Sequence, residues 1–271
     1  MDLTVITPVY KGERFLRETI NSVLSQSFKN FNYVIINDGS PDNSEKIISE
    51  TNDSRIFYIK QYPNQGKANA LNTALSMTKT PLVTFLDQDD VLCEKSLEKR
   101  VNLMKDNPDL DLIYGDYYFM DKDSKVYGIR KVMGYDNHEE LFKATLTRGP
   151  FMFSTTMLKK SLIDKYGGFD ESYKVAEDLE FFLRASRNGT KIMSVKEPVM
   201  NYRCHKNNFS KIFRKSGETK KQLFRLVDKY ANGSISLKAY HLVMENLKLL
   251  FEQFSDKKIE YNPFNYLIQK R

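Results

Sequence analysis

Short apolar runs alternate with amphipathic stretches from the first residues onward, and this rhythm predicts the elements. Leu3 to Thr7 reads as a strand, broken by Pro8. Glu13 to Ser25 reads as a helix with Phe15, Leu16, Ile20, Val23 and Leu24 on one face. Phe31 to Asn37 is a second strand centred on Tyr33-Val34-Ile35-Ile36, closed by the turn Asp38-Gly39-Ser40-Pro41-Asp42. A helix from Ser44 to Glu50, a strand from Ile56 to Lys60, the loop Asn64-Gln65-Gly66 and an Ala- and Leu-rich helix from Lys67 to Met77 follow. A fourth strand, Leu82 to Leu86, stops abruptly on Asp87-Gln88-Asp89-Asp90, and a helix from Glu94 to Met104 comes next. Strands alternating with helices predict βαβ units and a mostly parallel sheet sandwiched between helices.

Past Asn107-Pro108 the rhythm changes. Leu112 to Met120 and Lys125 to Val132 read as strands joined by a turn at Asp121 to Ser124, so an antiparallel element is expected. Glu139 to Leu146 is a short helix, Met152 to Leu158 is extended, Lys160 to Lys165 is helical, and Gly167-Gly168 is a turn. Asp178 to Arg187 is a helix with Leu179, Phe182 and Leu183 inward, and Lys191 to Val195 and Val199 to Tyr202 are short strands. From about Ser210 the pattern is helical and amphipathic. Phe213, Leu223 and Leu226 form one stripe, and Leu242, Val243, Leu247, Leu250 and Phe254 form another, both expected to pack on the preceding domain.

At 271 residues the chain suits one large domain, or one domain with an appendage, and 41% hydrophobic residues mark it as globular. Cys93 and Cys204 are far apart and neither sits in a C-x-x-C pair, which argues against zinc or a disulfide framework and for a reducing compartment. Met1 leads straight into a strand with no basic, apolar leader, and no apolar run is long enough to span a bilayer. A cytoplasmic protein is therefore expected. The net charge of +7 favours anionic partners: nucleotides, nucleic acid or an anionic membrane surface. Much of the excess lies between Lys206 and Arg225, where seven basic residues face the single acid Glu218.

Three carboxylates within four positions at a strand end repel one another, and a divalent cation such as Mg2+ or Mn2+ offsets that repulsion. The plainer reading is that they cap the next helix. Three further strand ends carry polar groups: Thr7-Pro8-Val9-Tyr10, Asn37-Asp38-Gly39-Ser40 and the loop Asn64 to Lys67 at a helix start. Parallel strands deliver such ends to one rim, where a nucleoside diphosphate with its metal would satisfy all four. Gly167-Gly168-Phe169-Asp170-Glu171 precedes Glu177-Asp178, which opens a helix. These two acids serve either the helix dipole or general-base catalysis. In Tyr202-Arg203-Cys204-His205 the histidine is either an ordinary satisfied residue or part of a metal or phosphate site. The absence of G-x-G-x-x-G and of G-x-x-x-x-G-K-[ST] speaks against dinucleotide oxidoreductases and P-loop enzymes. A nucleic-acid-binding protein lacks its motif here and would not be built around acids. A nucleotidyltransferase would carry a Gly-rich basic signature near the N-terminus, where Pro8 to Arg14 holds only Gly12.

Taken in order, Thr7-Pro8-Val9-Tyr10, Asn37-Asp38-Gly39-Ser40, Asn64-x-Gly66-Lys67, Asp87-x-Asp89-Asp90, Gly167-Gly168-Phe169-Asp170, Glu177-Asp178 and Tyr202-Arg203-x-His205 resemble the family 2 glycosyltransferases over about residues 1 to 210. The resemblance implies an α/β GT-A nucleotide-diphospho-sugar transferase fold, with a mixed, mostly parallel sheet flanked by helices. Residues 1–107 would bind the nucleotide, 108–210 the acceptor, and 211–271 would form a helical extension. It further implies that Thr7, Pro8, Val9, Tyr10 and Asp38 belong to the nucleotide-sugar site, where backbone around Pro8 and Tyr10, together with Asp38, would hold the base, usually uracil. Asn64, Gly66, Lys67, Asp87 and Gln88 would complete the nucleotide-sugar site, Asp87 at the ribose. Asp89 would bind Mn2+ or Mg2+ bridging the phosphates, with His205 beside it. Asp178 would take the acceptor's proton in an inverting reaction, and Glu177, Asp90 and Arg203 would support the acceptor side or the ligands. The implied partners are a nucleotide-sugar, UDP foremost, and a saccharide or lipid-linked acceptor, as in surface polysaccharide or glycoconjugate synthesis. The basic C-terminal part would touch the inner face of a membrane, and nucleic acid is not an implied partner. Two departures stand out. Many relatives have Ala-Arg-Asn where this chain has Ala70-Leu71-Asn72, leaving Lys67 as the cation, and Lys11 stands where Asn is frequent.

Overall fold

The computed structural model describes residues 1–135, 137–148, 152–208, 216–231 and 268–269. The helical stripes expected at Phe213 and from Leu242 to Phe254, and the basic residues Lys211, Arg214 and Lys215, lie outside these.

Strands β1 (Leu3–Val9), β2 (Phe31–Asp38), β3 (Ile56–Gln61) and β4 (Leu82–Phe85) run parallel in the order β4-β1-β2-β3. Their links carry helices α1 (Leu16–Leu24), α2 (Ser44–Ser49) and α3 (Lys67–Ser76). Because strand side chains alternate, Leu3, Val5 and Val9 of β1 face one side, with Leu16, Ile20 and Val23 of α1. Ile6 faces the other, with Ala68, Leu71 and Leu75 of α3. Strands buried on both faces read as near-continuous apolar runs, as β1, β2 and β4 do, whereas the edge strand β3 leaves Phe57 and Tyr58 exposed.

Beyond β4 the sheet becomes mixed. Strand β5 (Val91–Leu92) and helix α4 (Ser96–Asp106) lead to the long strand β6 (Leu112–Met120), which pairs antiparallel with β7 (Val126–Arg130). Helix α5 (His138–Arg148) and a 3-10 turn at Phe153–Thr155 precede β8 (Met157–Lys159), which inserts antiparallel between β4 and β6. Helix α6 (Lys160–Tyr166), helix α7 (Glu177–Ser186), β9 (Ile192–Arg203), helix α8 (Glu218–Ala231) and the two-residue β10 (Ile268–Gln269) complete the described elements. Strand β9 runs parallel to β6 and antiparallel to β5. One apolar cluster holds residues from Leu3 to Tyr202, so the core is continuous across both halves. No helix among the described residues is long and apolar enough to cross a membrane.

Four expectations need correction. Pro8 does not end β1, which runs on to Val9. Ile6 accepts the Leu86 N–H on the β4 side, and the two-residue period puts Pro8 on that side just past the last β4 partner, so its missing N–H breaks no ladder. The 152–158 segment is not simply extended. The Thr155 hydroxyl donates back to Met152 O at 2.7 Å and the Thr156 hydroxyl to Phe153 O at 2.8 Å, winding the chain into the 3-10 turn. The two short strands expected at 191–202 are one. Register shifts opposite Gly115 and Asp116 of β6 absorb Pro198 without interrupting it. Helix α7 starts at Glu177, one residue early, behind Ala176 in a left-handed conformation with φ 64°.

Candidate active site

The C-terminal ends of β1, β2 and β4 meet at one rim, and polar side chains there tie the loops together. Past β1, the Tyr10 N–H donates to Gln88 Oε1 at 2.8 Å, and Gln88 Nε2 returns a bond to Tyr10 O at 2.9 Å. This amide pair behaves like one rung of a sheet and leaves the Tyr10 ring 39% exposed at the mouth of the site. It needs a glycine beneath it, because a Cβ on Gly12 would lie 2.5 Å from Gln88 Oε1. The side chains of Thr7 and Val9 are buried, with Thr7 Oγ1 3.1 Å from the Tyr33 hydroxyl, so Pro8 and Tyr10 are the parts of this motif that reach the surface. Lys11 sits at φ 56°, a left-handed conformation that asparagine tolerates better than lysine, which gives the departure noted there a backbone cost.

Past β2, Asp38 is buried and its carboxylate accepts four donors, one from the last residue of β3 and three from the segment after it. Gln61 Nε2 and the Gln65 N–H bond Oδ1 at 3.0 and 2.8 Å, and Asn64 Nδ2 and the Gly66 N–H bond Oδ2, both at 2.8 Å. Asp38 thereby shapes the loop that opens α3.

Lys67, the first residue of α3, joins the acid loop to α7. Its Nζ lies 2.7 Å from Asp87 Oδ1 and 3.7 Å from Glu177 Oε1, above the Phe153 ring. Burial opposes the charge on this ammonium, but Asp87, Glu177 and Asp178 outweigh burial and hold it protonated, above the usual lysine range. Burial pushes Glu177 up to about 7, with Lys67 opposing and Asp178 adding to the rise. Burial also raises Asp178, again against Lys67, while its Oδ1 accepts the Leu179 N–H at 2.8 Å. The result is a pair of carboxyls, both raised by burial, beside a fixed cation, which suits proton abstraction.

Asp89 and His205 form the other half of the cluster. His205 Nε2 lies 2.7 Å from Asp89 Oδ2, and the His205 ring packs on Phe15 at 4.9 Å between centroids. The Asn207 N–H donates to Nδ1 at 3.2 Å, so the ring proton sits on Nε2, facing Asp89. Arg203 is fully buried and holds this arrangement from behind. Its Nε donates to Asp89 O at 2.8 Å, its other nitrogens reach Ser124 Oγ and Glu18 Oε2, and its backbone N–H reaches Asp90 Oδ1 at 3.0 Å. Asp90 is buried with Oδ2 unpartnered, and its pKa rises well above the carboxylate range through burial and the neighbouring Asp89 and Asp87. Asp90 and Arg203 thus sit behind the rim rather than in it. Asp89 supplies a carboxylate oxygen, and His205 would supply a nitrogen donor only on giving up the Nε2 proton it now shares with Asp89, a set that fits an ion taking its remaining ligands from phosphates and water. Among the described residues no group of three or more His, Cys, Asp or Glu side chains is placed to hold a metal alone.

Several residues in this arrangement carry no sequence signature. Ser154, in the 3-10 turn, accepts the Asp87 N–H at 3.1 Å. Asn72 of α3 brackets Phe169, accepting its N–H at 2.8 Å and donating to its carbonyl at 2.9 Å, and Asn69 and Asn72 both donate to Glu171 at 2.9 Å. Gln61 links Asn69 to Asp38. The one available cue was Asn72, which stands in the Ala70-Leu71-Asn72 triplet; Leu71 itself is core.

Residues 4–167 match the model of glycosyl transferase family 2. The chain is 32% identical over 209 residues to an uncharacterized glycosyltransferase of Methanocaldococcus jannaschii, covering 74% of this chain and 70% of that one. It spans 59% of a longer relative from Rickettsia typhi. Among solved structures, S. aureus TarS 1–349 in complex with UDP superposes with a TM-score of 0.68 at 19% identity, covering 97% of this chain and 76% of that one. The mannosyltransferase PcManGT from Pyrobaculum calidifontis, in complex with GDP-Man and Mn2+, gives 0.64 at 16% identity, covering 95% and 76%. On its sequence match and its GT-A-type fold, the chain belongs to glycosyl transferase family 2 and is a glycosyltransferase.

Proposed function

We propose that this glycosyltransferase is metal-dependent and inverting, moving a sugar from a nucleoside diphosphate donor, UDP-linked foremost, to a hydroxyl of a saccharide or lipid-linked acceptor. The observation that carries the reading is Lys67, whose ammonium contacts both Asp87 and Glu177 and so joins a donor-side acid loop to a carboxyl pair of raised pKa. The complexes of TarS with UDP and of PcManGT with GDP-Man and Mn2+ support a nucleotide-sugar donor.

Pro8, Tyr10 and the loop shaped by Asp38, Asn64 and Gly66 hold the base, and Asp87 and Gln88 border the ribose. Asp89, with His205 once its Nε2 proton is lost, would hold Mn2+ or Mg2+, and the ion when bound would supply Lewis-acid neutralisation of the leaving diphosphate. Asp178 accepts the proton of the acceptor hydroxyl as its oxygen bonds to the anomeric carbon. The bond from that carbon to the diphosphate breaks on the opposite face, inverting the centre. Glu177 and Lys67 set the charge around Asp178. Residues 1–107 are the nucleotide half and 108–210 the acceptor half, and glycan or glycoconjugate synthesis on the cytoplasmic side of a membrane is the fitting setting.

The test is release of nucleoside diphosphate from a panel of UDP-, GDP- and dTDP-sugars with Mn2+ or Mg2+. Turnover of at least one donor, abolished by EDTA and restored by the ion, is expected; no turnover across the panel overturns the reading. Asp178→Asn should lower turnover about 10²–10⁴-fold with UDP affinity unchanged by calorimetry. Because Asp178 must be deprotonated and burial raises its pKa, turnover should fall with decreasing pH while still above the ordinary carboxylate range.

A further inference from the structure

We propose that helix α8, beyond the stretch matched by the family model, is a positioning element for the helix that carries Glu177 and Asp178. The inference rests on the reading of Asp178 as the general base.

The contact is specific. Leu223, Leu226 and Tyr230 of α8 bury against Tyr173 and Leu183, with Phe142 and Leu146 alongside. At the centre lies Glu180 of α7, one helical turn past Glu177 and fully buried. Its Oε1 accepts the Tyr230 hydroxyl at 2.6 Å and Lys229 Nζ at 2.8 Å, and its Oε2 accepts Arg184 Nη2 at 2.8 Å. Two of the three side chains that neutralise or bond this carboxylate therefore come from α8. A buried carboxylate that loses two of its three partners is destabilised where it stands even with Arg184 in place, so the α8 contacts favour the present seat of α7.

The same helix holds the segment leading into α7. Arg225 donates to Ser172 O and Oγ at 3.1 and 2.8 Å and stacks over Tyr173, and Lys229 lies 3.6 Å from Asp170. Arg184, fixed by Glu180, donates onward to Gly168 O at 2.7 Å and to Tyr166 O. Lys229 and Arg225 thus bind the preceding elements of the chain itself, although Arg225 closes the basic run whose charge favours anionic partners. Glu180, Lys229 and Tyr230 do not touch the reacting atoms. They set where Asp178 stands.

The test uses the full chain with Tyr230→Phe, Lys229→Met and Lys229→Arg. Amide hydrogen exchange is followed over 166–180 and, as a control, over 82–90. Calorimetry with UDP and Mn2+ measures donor-site affinity, and release of UDP from a UDP-sugar measures turnover. Tyr230→Phe and Lys229→Met should each speed exchange over 166–180 about tenfold and lower turnover about tenfold. Exchange over 82–90 and UDP affinity should not change, and Lys229→Arg should restore turnover. Unchanged exchange over 166–180, or faster exchange with unchanged turnover, overturns the proposal. If Lys229→Met does not fold, Tyr230→Phe, which removes one hydroxyl, decides alone. Absence of turnover in the parent chain with every donor would refute the transferase reading instead, and the exchange comparison would still decide whether α8 holds α7.

Discussion

Gly12 and Glu177 show how single side chains set this site. At Gly12 the space a Cβ would need is taken by the end of the Gln88 side chain, which is free to swing away. Gly12→Ala should therefore cost little stability yet break the Gln88–Tyr10 amide pair. The expected result is a several-fold higher donor KM, with a thermal midpoint within a degree or two of the parent. Glu177 makes a pH prediction. Its folded-state value of about 7 lies above the unfolded value near 4.5, so its contribution to stability is complete below the lower value and is lost as pH rises through the upper one. Glu177→Gln does not titrate, and Lys67 keeps Asp87 as its partner. Chemical denaturation at pH 5 and pH 8 should show the variant gaining on the parent by on the order of 3 kcal/mol across that window.

Among the elements, α7 has the most unusual start. Ala176 takes a left-handed conformation immediately before the two acids, a conformation that costs an L-residue about 1–2 kcal/mol and collects at functional sites. Ala176→Val adds a β-branched clash there, and about 2 kcal/mol of stability should be lost in urea titrations. Apart from β5, the helices and strands before residue 107 were legible because each has its own apolar period and its own turn, and their ends moved by at most three residues. Strand β5 and the 3-10 turn were not, since two paired residues and a pair of back-bonded threonine hydroxyls leave no periodic trace. The site divides the same way. Acids at strand ends announce themselves, as Asp87 and Asp89 do. Gln61, Asn69 and Ser154 are ordinary polar residues whose work arises only when distant segments meet.

Across the whole molecule, α3 links two distant loops. Lys67 at its start grips Asp87 on the donor side, and Asn69 and Asn72 further along grip Glu171, in the loop that leads to α7. Under the proposed function, donor and acceptor would therefore both bear on one stiff rod, within its first two turns. Thermodynamic reciprocity then requires that whatever factor UDP adds to acceptor affinity, acceptor adds to UDP affinity. Titrating each ligand in the presence and absence of the other should give equal factors of about 5 to 150, collapsing toward one in Glu171→Ala; independent affinities in the parent chain would mean the rod transmits nothing. On the proposed function, such an enzyme would need no mobile lid to report that its donor has arrived, because the helix beside the donor loop already touches the segment leading to the proposed base.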